Sequence, residues 1–324
     1  MILGQDIAID RFRSAMDSGT LHHAWLLTGP RGVGKATFAE AAATRLLAQA
    51  AGPPVSLPGL GTPDDHPITK LVTARSHPDL RWLQRLPKEK GEGLARNISV
   101  KQVRGLIEFL GLTPALSGAR AIIIDTADEL EAAGANALLK MLEEPPPNSV
   151  FFLVSNSPGR LLPTIRSRCR RLDFMLLGDD AMTSLLQLNR PELVEPERGR
   201  IVAMAGGSAG RALAFAELGL AQLAESASAI LREGDSCNGR RSKLAQDLGK
   251  KGAADRYSAF LDLVPSLIAR EARALAGSRR ERALDAYAEV RDVAAAAPRL
   301  SLDPAATVFR IGGILASVAE PPLP

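Results

Sequence analysis

The apolar run Leu21–Thr28 (LHHAWLLT) breaks directly into Gly29-Pro30-Arg31-Gly32-Val33-Gly34-Lys35-Ala36-Thr37, and an alanine-rich stretch follows from Lys35 to Gln49. A short apolar run closed by glycines reads as a buried strand. An alanine-rich stretch reads as a helix. Strand, glycine loop and helix in that order let consecutive backbone N–H groups converge on phosphate oxygens. The helix N-terminus adds partial positive charge, and Lys35 reaches toward the terminal phosphates. Two more apolar runs, Ala121–Ile124 ending in Asp125 and Val150–Val154, alternate with helical stretches over Ser99–Leu110 and Asn136–Glu144. This alternation predicts a parallel sheet flanked by helices, an α/β domain. Ser99 and Gln102 form a capping-box pattern, and Val103, Leu106, Ile107 and Leu110 give that helix its expected apolar face. The 50–78 stretch is rich in Pro and Gly and reads as a loosely packed loop or insertion.

The phosphate loop lacks one chemical group. The residue after the loop lysine normally carries a hydroxyl that ligates Mg²⁺. Here it is Ala36. Thr37 lies one position on, turned about 100° around the helix. It can touch a phosphate but is badly placed to replace the missing ligand. Asp125, at the end of an apolar strand, is the residue type that holds Mg²⁺ in such sites. It is followed by Thr126 rather than a carboxylate that could polarise an attacking water. Asp128 and Glu129 are expected to start the next helix rather than face the site.

Beyond Asp173 the strand signal fades. Residues 178–220 read as a small helical unit broken at Gly206-Gly207, and helical spacing resumes from 221. Tyr257, Phe260, Leu261, Val264, Leu267 and Ile268 share one helix face, with Pro265 as a candidate kink. Asp303-Pro304 is an N-cap followed by an N1 proline, and Val308, Ile311, Leu315 and Val318 form the stripe behind it. The chain has 324 residues, 46% of them hydrophobic, 23% charged and 4% aromatic, with a net charge of +4. Such a balance suits a globular protein of two or three domains whose core is built from aliphatic side chains. Cys169 and Cys237 cannot make a disulfide framework, nor a four-ligand zinc site without histidine help, and His22, His23, His66 and His77 show no metal-ligand spacing with them, so a reducing cytoplasm and no zinc are expected. No window of about 20 uncharged apolar residues is present, which predicts no membrane span. The basic pairs Arg240-Arg241, Lys250-Lys251 and Arg279-Arg280 leave a DNA-binding module open as a separate reading, although such pairs are usually solvated surface.

Leu21 to Ala39, the upstream Gly4-Gln5, the segment Asn136 to Pro146 (NALLKMLEEPP) and Leu161 to Cys169 (LLPTIRSRC) together resemble the clamp-loader AAA+ family of bacterial replication. The resemblance is strong over about the first 175 residues. It implies a P-loop AAA+ domain over 1–175, a helical lid over 176–220 and an all-α collar over 221–324 that assembles the ring. Members that hydrolyse ATP carry Glu where this chain has Thr126. With Ala36 as well, the resemblance implies ATP bound weakly at most, without hydrolysis. It assigns the nucleotide-binding positions to Gly29, Pro30, Arg31, Gly32, Val33, Gly34, Lys35, Thr37 and Asp125, with Asn156 as sensor 1 and Arg31 either assisting or obstructing. Arg211 stands one place later than the sensor-2 arginine of the motor subunits. Arg168 falls at the arginine finger of the Ser-Arg-Cys motif, which acts on ATP held by a neighbouring subunit. Cys169 is expected to be a packing residue. Implied partners are the gamma/tau motor subunits, the delta subunit and, through the complex, the sliding clamp and primed DNA. An active ATPase motor of the same complex is the competing expectation.

Overall fold

A computed structural model describes residues 2–88 and 94–319. Residues 1 and 320–324, the outer ends of the expected AAA+ and collar segments, lie outside the described residues. The chain forms two compact units, Met1–Leu177 and Gly178–Pro324.

The first unit runs α1 (Asp6–Asp17), β1 (Ala24–Thr28), α2 (Lys35–Ala50), α3 (Pro67–Thr73), β2 (Leu80–Leu83), α4 (Val100–Gly111), β3 (Arg120–Asp125), α5 (Ala132–Glu143), β4 (Ser149–Ser155), α6 (Pro163–Ser167) and β5 (Arg170–Asp173). All pairings are parallel, in the order β2-β3-β4-β1-β5. Alternation along the strands divides the core in two. Trp25, Leu27, Ile123 and Phe152 face α1 and α2, while Leu26, Ile122, Ile124, Phe151 and Leu153 face α4 and α5. Strands buried on both faces must be apolar throughout, which is why β1, β3 and β4 stand out as unbroken apolar runs.

Several expectations need correction. The strand after Leu21 begins only at Ala24. The helix expected from Asn136 begins at Ala132. Ser99 and Gln102 do form the capping box, and Val103, Leu106 and Leu110 are buried, but Ile107 is 55% exposed and Phe109 takes its place in the core. Asp128 and Glu129 lie in a short 3-10 turn, Ala127–Glu129, ahead of α5. The 50–78 stretch is not loosely packed. It contains α3, and Leu60, Ile68 and Val72 are buried. Its anchor is Arg45 of α2, 2% exposed, whose guanidinium donates to the carbonyls of Val55 (2.9 Å), Leu57 (3.2 Å) and Gly61 (2.7 Å). A fan of donors on a rigid plane satisfies carbonyls that a non-helical segment would otherwise leave bare.

The second unit is helical: α7 (Asp179–Asn189), α8 (Glu195–Ala205), α9 (Ala209–Glu217), α10 (Ala221–Glu233), α11 (Gly239–Leu248), α12 (Ala254–Ala274), α13 (Gly277–Leu300) and α14 (Pro304–Ala316). Gly206 ends α8 in the left-handed region at φ 57°, which matches the glycine break read from the sequence. α12 continues through Pro265. Asp303 caps α14 by accepting from the Ala306 N–H at 2.7 Å, and Val308, Ile311, Leu315 and Val318 are fully buried. No helix among the described residues is long and apolar enough to cross a membrane.

Candidate functional site

The loop at Gly29 leaves the sheet where the C-terminal ends of β1, β3 and β4 meet. Thr28 pairs with Ser155, and Asp125 pairs with Val154. The glycine loop, Asp125 and Asn156 therefore share one rim of the sheet, the position where parallel sheets bind ligands. Gly29 is required for a steric reason: a Cβ there would sit 2.3 Å from the Phe174 carbonyl oxygen. Gly34 is left-handed at φ 95° and opens α2. Gln5, 4% exposed, ties the loop to the exit of β5 by donating to the carbonyls of Met175 (2.8 Å) and Val33 (3.3 Å). The Gly4-Gln5 pair thus acts as a brace behind the phosphate cradle.

Lys35 is 4% exposed, and its ammonium donates to the carbonyl oxygens of Gly29 (2.7 Å) and Pro30. The loop thereby folds its own cation inward. Burial pushes Lys35 down from about 10.5 to about 8, against the opposing pull of Asp128 and Asp125. Burial likewise raises the Asp125 carboxyl, against a hydrogen bond from Thr126 and the charges of Lys35 and Arg31. A lysine whose folded pKa lies below its unfolded one leaves the folded chain with fewer protons between pH 8 and 10.5. Stability should therefore rise with pH across that window. The urea midpoint of the chain is expected to climb from pH 8 to pH 10, and Lys35→Met should remove that gain. An equal climb in the variant would show that the ammonium is not the source.

Ala36 offers only a methyl group where Mg²⁺ would need an oxygen. Thr37 lines a separate cavity with Ile2, Ile9, Ala41 and Leu57. Asp128 is committed elsewhere, accepting from Ser155 Oγ (2.6 Å) and from the backbone N–H groups of Asn156 (2.6 Å) and Ser157 (3.1 Å). It thereby fixes the turn that carries Asn156. The Asn156 Nδ2 lies 3.5 Å from Thr126 Oγ1, which itself lies 3.4 Å from Asp125. Glu129 pairs with Arg85 at 2.7 Å. The residues present do not fit a Mg²⁺-triphosphate poised for hydrolysis. The lysine is turned inward, the hydroxyl is missing and Asp128 and Glu129 are engaged, which leaves Asp125, touched by Thr126 at 3.4 Å, as the carboxylate on this rim that could still meet a metal.

Arg168 lies on the other rim. It precedes β5, whose first residue pairs with Trp25 near the start of β1. The five residues of β1 separate it from the glycine loop, and at about 3.3 Å per residue that is roughly 16 Å. Its guanidinium pairs with Glu143 of α5 at 2.8 Å and donates to the Thr164 carbonyl at 3.0 Å. Both side chains are more than a third exposed. Pairs of this kind contribute about 0–1 kcal/mol, so the guanidinium is readily exchanged to another anion. Sequence reading could not find Glu143, because its partner lies in another element. Cys169, next in the chain, packs against the α4/α5 face of the core, and burial pushes its thiol up to about 12. Arg211 is held within the second unit, where it donates to Ser266 Oγ (2.7 Å) and the Asp262 carbonyl (3.3 Å) of α12.

A family model described as DNA polymerase III, delta subunit, matches residues 4–177. The DNA polymerase III subunit delta' of Pseudomonas aeruginosa is 36% identical over 186 residues, 57% of this chain and 53% of that protein. The subunit delta' of Escherichia coli is 34% identical over 167 residues, 50% of this chain and 45% of that protein. A gamma/tau subunit of Mycobacterium tuberculosis is 33% identical over 185 residues, 57% of this chain and 30% of that protein. The chain thus spans about half the length, or less, of these curated relatives. The crystal structure of a DNA polymerase III gamma subunit-related protein from Thermotoga maritima covers 95% of this chain at a TM-score of 0.50 and 18% identity, with 98% of its own length covered, which is a likeness of fold. The parallel five-stranded sheet flanked by helices and the helical unit after it are the P-loop AAA+ architecture expected from the sequence. With its braced glycine loop and its Ser-Arg-Cys turn on opposite rims of that sheet, the chain belongs to the DNA polymerase III delta-subunit family.

Proposed function

We propose that this chain is a delta-prime, or stator, subunit of a bacterial DNA polymerase III clamp loader, and that its own phosphate loop is catalytically idle while Arg168 serves a neighbour's ATP. The observation that carries this reading is the split between the two rims. Arg168 sits roughly 16 Å of sheet away from the glycine loop of its own chain, so a γ-phosphate within its reach must belong to another subunit. A guanidinium placed there stabilises charge that develops on the transferring phosphoryl group. Its exposed pairing with Glu143 keeps it available, and Ala36 and Thr126 remove the two groups its own loop would need.

In this role the subunit binds the gamma/tau motor subunits and the delta subunit in the cytoplasm. It meets the sliding clamp and primed DNA through the complex. Residues 176–220 act as a lid and 221–324 as the collar that holds the ring together. Nucleotide is bound weakly or not at all, and no zinc is needed. The first test is direct. ATP and Mg²⁺ added to the purified chain are expected to give no micromolar binding by calorimetry and no hydrolysis above background. Turnover comparable to a gamma/tau subunit would instead favour an active motor, a reading that the intact backbone of the glycine loop keeps in play.

A further inference from the structure

A cavity of about 180 Å³ opens on the second unit between α8, α10 and α12, away from any group used above. Three arginines from the three helices line it: Arg200, Arg232 and Arg270. Ala221, Ala224 and Met204 supply apolar wall. Glu225 is the lone carboxylate in the lining, and it holds Arg200 only loosely, at 3.6 Å. Arg270 reaches Glu271, its chain neighbour, at 3.3 Å. Arg232 makes no ion pair among the described residues; its Nε donates to the Ser228 carbonyl at 3.4 Å, and its other donors are unspent. Ser228 also lines the cavity. It is only 5% exposed and presents a hydroxyl at the cavity wall.

Three guanidiniums, one weakly engaged carboxylate and a hydroxyl on the wall make a place for an oxyanion. The volume falls below the roughly 300–1,000 Å³ of sites that enclose whole ligands. A single tetrahedral group fits that space better than a nucleotide. Guanidinium forks match phosphoryl oxygens in charge and in planar geometry. We propose that Arg200, Arg232, Arg270 and Ser228 form a phosphoryl-binding site on the helical unit, with Glu225 occupying Arg200 until the anion arrives. The phosphoryl group comes either from free phosphate or from a nucleic-acid backbone, which share this chemistry.

Met204 lines the cavity and is one of six methionines, so a ¹³C-methyl-methionine spectrum of the full chain reads the site locally. Inorganic phosphate and a short single-stranded oligothymidylate would each be titrated against a chloride control of matched ionic strength. The expected result is a saturable shift of the Met204 methyl. Joint Arg232→Ala and Arg270→Ala replacement should weaken that binding at least ten-fold, and Glu225→Gln should tighten it several-fold. Shifts with both ligands mark a free-phosphate site, and shifts with the oligonucleotide alone mark a backbone contact; either supports the assignment. No saturable shift in the wild-type chain and in Glu225→Gln, a shift equalled by chloride, or one unchanged by the arginine replacements overturns it.

Discussion

Replacing Arg168 by Ala in a reconstituted loader is expected to lower ATP turnover at the one site it serves by about 10³-fold or more, the range measured for arginine fingers. The assembled complex should form unchanged, because Arg168 lies at the surface and its pairing with Glu143 is worth at most about 1 kcal/mol. DNA-stimulated ATPase of the complex, measured beside its subunit stoichiometry, checks both halves of this expectation. Turnover unchanged in an intact complex would remove the finger role and leave Arg168 as a surface residue at the C-terminal cap of α6. Failure to assemble would mean that the side chain is part of the interface itself. Arg168→Lys should not rescue, since an ammonium cannot reproduce the fork of donors.

Phe12→Ala is expected to destabilise the first unit by about 3–5 kcal/mol, the usual cost of emptying a buried phenylalanine site. Phe12 is fully buried, and its ring stands 5.1 Å from Trp25, 5.9 Å from Phe38 and 5.6 Å from Phe152. One side chain thus joins α1, β1, α2 and β4. The surrounding rings are rigid and cannot collapse into the space, so the cavity remains. A fall in Tm on the order of 10 °C should accompany the loss. Chemical denaturation followed by Trp25 fluorescence measures it. A loss below about 1 kcal/mol would show that α1 repacks and that the ring cluster is not a keystone of the sheet.

The central strands were legible because burial on both faces forces an unbroken apolar run. The outer ones were not. β2 and β5 are the two edges of the sheet, four residues each, and β5 reads Arg-Arg-Leu-Asp with only Leu172 buried. Edge strands carry charge as protection against further pairing, and that charge erases the apolar signal. The glycine loop was legible for a different reason: its chemistry is local, set by residues within one turn of chain. The surroundings of that loop were not. Gln5 reaches Met175 across 170 residues, and Asp128 finds Ser155 across 27. No spacing in the sequence announces either contact. Ile107 misled because helical periodicity marks a face without saying how wide the covered part is, and α4 turns that position outward.

Arg45 carries one more consequence. Residues 50–78 contain no cysteine, so this segment, pinned by guanidinium-to-carbonyl bonds, has no thiolate for an oxidant to attack. The lobe over α2 should therefore keep its shape through oxidative stress that would unravel a lobe held by thiolates.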